Sequence, residues 1–154
     1  MRISRKLVGC PVSSQNIGWY ALARRSVLTR PYSMREGLVW TDLGRQGSEG
    51  EVCSLTSCGN GIALAGTSGG GKIFRSTNYG ATWTDLGQRG TEGKIWSLVY
   101  LENGIVLAGT SGGGKIFRST NYGATWNDIG RMGSETEVYS LTYCGNGIVL
   151  AGTA

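Results

Sequence analysis

Histidine is absent from this 154-residue chain. With it go the commonest metal ligand, the usual general base near neutral pH, and the Ser-His and Cys-His pairs of nucleophilic catalysis. Proline occurs twice and charged residues make up only 16% of the chain, against 40% hydrophobic, a balance that disfavours disorder. No run reaches the ~18 apolar residues of a membrane-spanning helix. The start, MRISRKLVGC, is basic and carries Leu7-Val8-Gly9-Cys10, a lipoprotein-like cleavage pattern. The apolar segment that should precede such a site is missing, so no signal peptide is expected, and the compartment stays open.

Glycine is plentiful, at 27 residues without a collagen period, which points to many tight turns. The formal charge of +5 is unevenly placed. Residues 1–36 hold seven basic side chains and only Glu36 against them, whereas the remainder is close to neutral. Few aromatics interleave those charges, so nucleic acid is not the expected partner and a solvated surface is.

Residues 64–83, LAGTSGGGKIFRSTNYGATW, return unchanged at 107–126. Within them Gly66 to Lys72 has the G-x-x-x-x-G-K spacing of a phosphate-binding loop. That loop needs a Ser or Thr after the lysine and a helix beyond it. Here Ile73 and Ile116 follow, and the next residues read as a strand entering an Asn-Tyr-Gly turn. No nucleotide site is expected, and no cofactor or metal.

The repeat extends well past the identical stretch. Trp40, Trp83 and Trp126 are spaced by 43 residues, as are Thr67, Thr110 and Thr153. GEVCSLTSCGNGIALAGT, GKIWSLVYLENGIVLAGT and TEVYSLTYCGNGIVLAGT align without a gap. The same offset places Gly18 to Ala23 under Gly61 to Gly66, and Ser33, Gly37 and Trp40 under Ser76, Gly80 and Trp83, as a degenerate first copy. Each copy holds four strand signals, in the second copy Val52 to Cys58, Ile62 to Thr67, Lys72 to Ser76 and Thr82 to Leu86. Four short antiparallel strands in such a period make one propeller blade. The chain is therefore expected to be all-β, with residues 1–44 a degenerate blade bearing the basic segment, 45–87 and 88–130 full blades, and 131–154 a half blade.

Ser76-Thr77-Asn78-Tyr79-Gly80-Ala81-Thr82-Trp83 and Ser119 to Trp126 resemble the Asp-box, S-x-D-x-G-x-x-W, also called the bacterial neuraminidase repeat. The family includes sialidases, sortilin-type receptors and photosystem II assembly factors, all with propellers. Asn replaces the Asp in both good copies and Arg35 in the degenerate one. The resemblance implies a structural role for Ser76, Asn78, Gly80 and Trp83, and for Ser119, Asn121, Gly123 and Trp126, with Asn bonding back to the turn, Gly at positive φ and Trp buried. It implies no catalysis there.

A sialidase-like centre would require an arginine clamp, a Tyr-Glu nucleophile and an acidic donor drawn from unlike blades. Near-identical blades cannot supply that asymmetry, and the Arg-Ile-Pro motif of such enzymes is missing. No catalytic residue is expected. Glu49, Glu92 and Glu135 recur in the inter-blade loops, on the end of the blades that should also carry Ser68, Lys72, Ser111 and Lys115. These residues form a candidate ligand face for a protein or a carbohydrate; a solvated rim is the plainer reading. Asp42, Asp85 and Asp128 read as strand-edge or turn residues. Cys10 and Cys53 share one repeat position and Cys58 and Cys144 another. Equivalent positions on packed sheets ~10 Å apart cannot be bridged, so buried free thiols are expected.

About three and a half blades fall short of the ~4 to 8 that close a propeller. A fragment of a longer propeller, a homo-oligomer that completes the ring, and a product of recent duplication are all compatible with the period. The expected function is that of a non-enzymatic binding or assembly scaffold, with a remnant of a sialidase-like hydrolase as the alternative.

Overall fold

The computed structural model describes Leu43 and residues 48–154. The degenerate first blade, the basic segment, Cys10 and Asp42 lie outside the described residues. Ten strands and no helix make up the rest: β1 (Glu51–Gly59), β2 (Ile62–Ser68), β3 (Lys72–Ser76), β4 (Thr84–Gln88), β5 (Lys94–Tyr100), β6 (Val106–Ser111), β7 (Lys115–Ser119), β8 (Asn127–Arg131), β9 (Val138–Gly145) and β10 (Ile148–Thr153). Strands β1 to β4 pair successively and antiparallel, β5 to β8 do the same, and β9 pairs with β10. The architecture is all-β and built of four-stranded propeller blades.

Strand pairing barely joins the blades. Ser68 pairs with Lys94 at the end of β2, and one repeat later Ser111 pairs with Glu137. The blades are held instead by packing of sheet faces. Ile95 lies against Gly66 and Val138 against Gly109, while Leu64 is covered by Gly123 of the following blade. Leu64, Ile73, Ile95, Leu98, Val106, Ala108 and Phe117 form the core, with Cys58 at its side. Leu64 and Ala65 of β2 and Val106 and Ala108 of β6 are buried because these strands lie inside their sheets, whereas the outermost β8 is exposed throughout.

The last strand of each blade begins at Thr84 and Asn127, two residues beyond the start expected from the sequence. Thr82 and Thr125 are held in the preceding turn. Asn78 Oδ1 accepts the Thr82 N–H at 2.9 Å, and Asn121 Oδ1 accepts that of Thr125 at 2.9 Å. Residues whose amides close a turn cannot enter the ladder at the same time.

Candidate functional site

The turn between the third and fourth strands is built from Ser, Asn and Gly in both copies. Ser76 Oγ accepts the Gly80 N–H at 2.8 Å and the Asn78 N–H at 3.3 Å; Ser119 Oγ does the same for Gly123 and Asn121. Tyr79 and Tyr122 sit at φ 60° and 57°, and Gly80 and Gly123 at 85° and 76°. The Tyr122 N–H reaches the Gly104 carbonyl at 2.8 Å, which fastens this turn to the first hairpin of the blade. Arg75 Nε in turn bonds the Tyr122 carbonyl at 2.9 Å across the blade boundary. Trp83 and Trp126 are half-buried rather than fully enclosed. Trp126 packs on the core and donates its indole N–H to Gly123 O at 3.0 Å.

At the opposite end of the blade the recurring glutamates turn inward. Glu49 is 8% exposed and Glu92 2%. Thr67 Oγ1 donates to Glu49 Oε2 at 2.8 Å, and Thr110 Oγ1 to Glu92 Oε2 at 2.7 Å. The Gly-rich turn makes room for this: a Cβ on Gly113 would come within 2.6 Å of Glu92 Oε1. Ser68 and Ser111 are buried as well, and Ser68 bonds Glu51 at 3.1 Å. Of the residues proposed as a ligand face, Lys72, Lys115 and Glu135 keep contact with solvent.

Even these lysines are engaged. Lys72 Nζ lies 3.3 Å from Glu49 and 3.1 Å from Asp85, and Lys115 Nζ 3.0 Å from Asp128. The bond to Asp85, then that to Glu49, raises the Lys72 pKa above its ordinary value. Asp128 is held below the ordinary carboxylate range by Lys115 and by the Gly130 N–H. Asp85 and Asp128 thus lie in the outermost strand of their blades, each also accepting the N–H of the glycine two residues on.

A second cluster at this end was not foreseen. The first strand of each described copy carries a β-bulge, marked by register shifts between Val52 and Ser54, between Ile95 and Ser97, and opposite Thr153 and Gly152. The extra residue is Cys53, Trp96 or Tyr139, a position that differs among the three described copies. Bulges re-aim a side chain away from the pleat. Trp96 and Tyr139, from successive copies, meet with ring centroids 5.7 Å apart at 54°. Lys94 Nζ stands 4.5 Å from the centre of the Trp96 ring, within cation–π range. The Trp96 indole N–H donates to Glu137 Oε2 at 2.7 Å. Tyr139 is exposed, so a large aromatic is fixed on one side and open on the other. The signal that could have found this cluster is the variation itself, since Lys94 also stands where the neighbouring copies have Glu51 and Glu137.

Cys53, Cys58 and Cys144 are free thiols. Only Cys58 is buried; Cys53 is half-buried and Cys144 exposed, which corrects the expectation of enclosed thiols. Cys58 joins the core cluster, whereas no further strand pair covers the β9 position of Cys144 among the described residues. Among those residues no three His, Cys, Asp or Glu side chains gather as a metal site, and no helix is long and apolar enough to cross a membrane.

No known protein family matches the sequence, and no curated protein sequence matches it. Solved structures do. YCF48 bound to D1 peptide is similar over 65% of this chain and 33% of its own, at 13% identity and a TM-score of 0.51. The extracellular domain of BT4673 from B. thetaiotaomicron, described as a one-component system, is similar over 73% of this chain and 16% of its own, at 19% identity and a TM-score of 0.54. A second structure of that domain, described as part of a hybrid two-component system, gives 18% and 0.53. The chain spans a third or less of the length of these structures. They place it among β-propeller-type proteins.

Proposed function

We propose that this chain is a non-enzymatic propeller repeat protein of the Asp-box type, a binding or assembly scaffold whose partner is a protein segment. The inward turn of Glu49 and Glu92 carries the reading. The recurring carboxylates that a hydrolase would need in its cleft are bonded to Thr67 and Thr110 beneath the Gly-rich turns. The Ser-Asn-Gly bond pattern of the two turns supports the Asp-box assignment, with Asn filling the acceptor role of Asp. Residues 1–44 are assigned to the same repeat as a degenerate blade.

The contact surface we assign is the bulge cluster of Lys94, Trp96, Glu137 and Tyr139. Rigid aromatics with a polar edge are the side chains that most often carry binding energy at protein interfaces. A propeller-fold neighbour, YCF48, is bound to a D1 peptide, which supports a peptide-like partner. Lys72, Lys115 and Glu135 would form the rim, with Ser68, Ser111, Glu49 and Glu92 as the floor that fixes it.

The test is calorimetric titration with a panel of extended peptides and one of oligosaccharides, alongside turnover of a fluorogenic sialoside. Saturable peptide binding that weakens about tenfold or more in Trp96→Ala and Tyr139→Ala is expected. Binding of oligosaccharides alone would move the partner to glycans. Sialoside turnover that disappears in Glu92→Gln would restore the hydrolase reading.

A further inference from the structure

The loop joining the first two strands of each described copy is asparagine followed by glycine. Asn60, Asn103 and Asn146 sit at φ 50°, 51° and 52°, and Gly61, Gly104 and Gly147 at 78°, 80° and 75°, positive at both central positions as a type I′ hairpin turn demands. Asn-Gly is also the dipeptide most prone to lose its side-chain amide, because glycine leaves the following nitrogen unhindered. That reaction needs only water. The Gly104 nitrogen, having given up its proton, attacks Cγ of Asn103; an N–Cγ bond forms, the Cγ–Nδ2 bond breaks, and the side-chain nitrogen takes up a proton and leaves as ammonia. Water then opens the five-membered imide at either carbonyl, leaving an aspartyl or an isoaspartyl residue at position 103. Closing the imide requires the Asn103 backbone to rotate out of the turn, so whatever holds the turn holds off the reaction.

Two sets of contacts hold Asn103. Within the hairpin, the Ile105 N–H donates to Glu102 O at 2.9 Å and the Leu101 N–H to Ile105 O at 2.9 Å. From outside it, the Gly104 carbonyl accepts the Tyr122 N–H at 2.8 Å, and a Cβ on the buried Gly104 would come 3.0 Å from Tyr122 Cε2. Tyr122 is itself fixed. Its ring stacks on Tyr100, with centroids 6.2 Å apart at 25°, and its carbonyl accepts Arg75 Nε of the preceding blade at 2.9 Å. At Asn60 the clamp is Tyr79, whose N–H donates to Gly61 O at 2.9 Å and whose Cε2 a Cβ on Gly61 would meet at 2.9 Å. Ser57 occupies the repeat position of Tyr100, which makes Tyr100 a lever on Asn103 and not on Asn60.

We propose that Asn103 is a deamidation site gated by Tyr122, and that isoaspartate at this position releases the blade boundary. An isoaspartyl residue carries the chain through its side-chain carbon, so the backbone gains one methylene in a loop whose two residues set the hairpin geometry. The Gly104 carbonyl is then displaced from Tyr122, and the seat of Arg75 on the Tyr122 carbonyl goes with it. The inference draws nothing from the aromatic bulge at the opposite end of the blade, so the two can fail separately.

The test is to age the 154-residue chain in warm, mildly alkaline buffer and follow each Asn-Gly peptide by mass spectrometry, counting isoaspartate with an isoaspartyl methyltransferase. In the folded chain Asn103 converts at least about tenfold more slowly than in denaturing urea, a comparison that needs no variant, because the open turn is a minor state. Tyr122→Ala and Tyr100→Ala each speed Asn103 at least about fivefold and leave Asn60, with its own clamp, within about twofold. Tyr79→Ala does the reverse. For the consequence, Asn60→Gly and Asn146→Gly together keep those turns and leave Asn103 as the single reactive site among the three. In that background the isoaspartyl chain unfolds at a lower urea concentration than Asn103→Asp, which has the new charge without the extra methylene. Equal rates in the folded chain and in urea, or a Tyr122→Ala chain in which Asn60 accelerates as much as Asn103, overturns the gate. An isoaspartyl chain as stable as Asn103→Asp overturns the release.

Discussion

Glu92 accepts the Thr110 hydroxyl at 2.7 Å, and Glu49 and Thr67 repeat the bond one copy earlier at 2.8 Å. The carboxylate reaches its partner because the Gly113 position has no side chain. Thr110 also accepts the Lys115 N–H at 3.1 Å, so one hydroxyl ties the inter-blade loop to the start of β7.

Removing Glu92 therefore unfastens two segments. Glu92→Ala should lower unfolding free energy by about 1–3 kcal/mol, the range for breaking a buried hydrogen bond with a charged partner. Glu135→Ala, at the equivalent but half-buried position, should stay within about 0.5 kcal/mol. Urea midpoints of the two variants measure the difference. Equal effects would mean that the buried network does not support the fold.

Gly123 combines two constraints. Its φ is +76°, and a Cβ would lie 2.6 Å from both Leu64 methyls. Gly123→Ala should cost about 2–4 kcal/mol, from left-handed strain together with overpacking. Gly50→Ala, with nothing within 4 Å of the new Cβ and no positive φ, should be close to neutral. Paired thermal melts would show whether glycine at the blade boundary is a requirement of packing.

The 43-residue period and the alternation of short strands with Gly and Asn turns are local patterns, so the blades were legible in the sequence. The first three strand positions agree with the structure to within one residue at each end. What the sequence hid depends on tertiary contact. Glu49 and Glu92 read as surface acids because loop glutamates usually are, and nothing local announces Thr67 or Thr110 beneath them. Trp96 and Tyr139 looked like ordinary strand residues, because a bulge is set by the register of two strands rather than by one. The late start of β4 has the same origin, since Thr82 is claimed by Asn78 before the ladder can use it.

The three described thiols, Cys53, Cys58 and Cys144, should react in the order of their exposure. Burial pushes the Cys58 thiol above its ordinary pKa, against a smaller opposing effect of Arg75. Iodoacetamide at pH 8 should label Cys144 first and Cys58 at least about tenfold more slowly, since alkylation needs an accessible thiolate. Peptide mapping by mass spectrometry reads the order. In denaturing urea the difference between Cys58 and Cys144 should vanish; if it persists, its cause is not the fold.

The Lys115 and Asp128 pair gives the pH dependence a definite sign. Asp128 is lowered by Lys115, so its contribution is present above the unfolded carboxylate pKa of about 3.9 and is lost as pH falls through the lower folded value. Lys115 is raised, chiefly by the hydrogen bond to Asp128, so its contribution is present below the unfolded pKa of about 10.4 and is lost as pH rises through the folded value. The stability difference between the parent chain and Asp128→Asn should therefore be flat between about pH 5 and 9 and shrink on both sides. Both groups are open to solvent, so added salt should reduce the plateau. Denaturant titrations at five pH values and two salt concentrations would check it. A difference that ignores both pH and salt would show that Asp128 acts through its bond to the Gly130 N–H, which an asparagine oxygen can also accept, and not through the lysine.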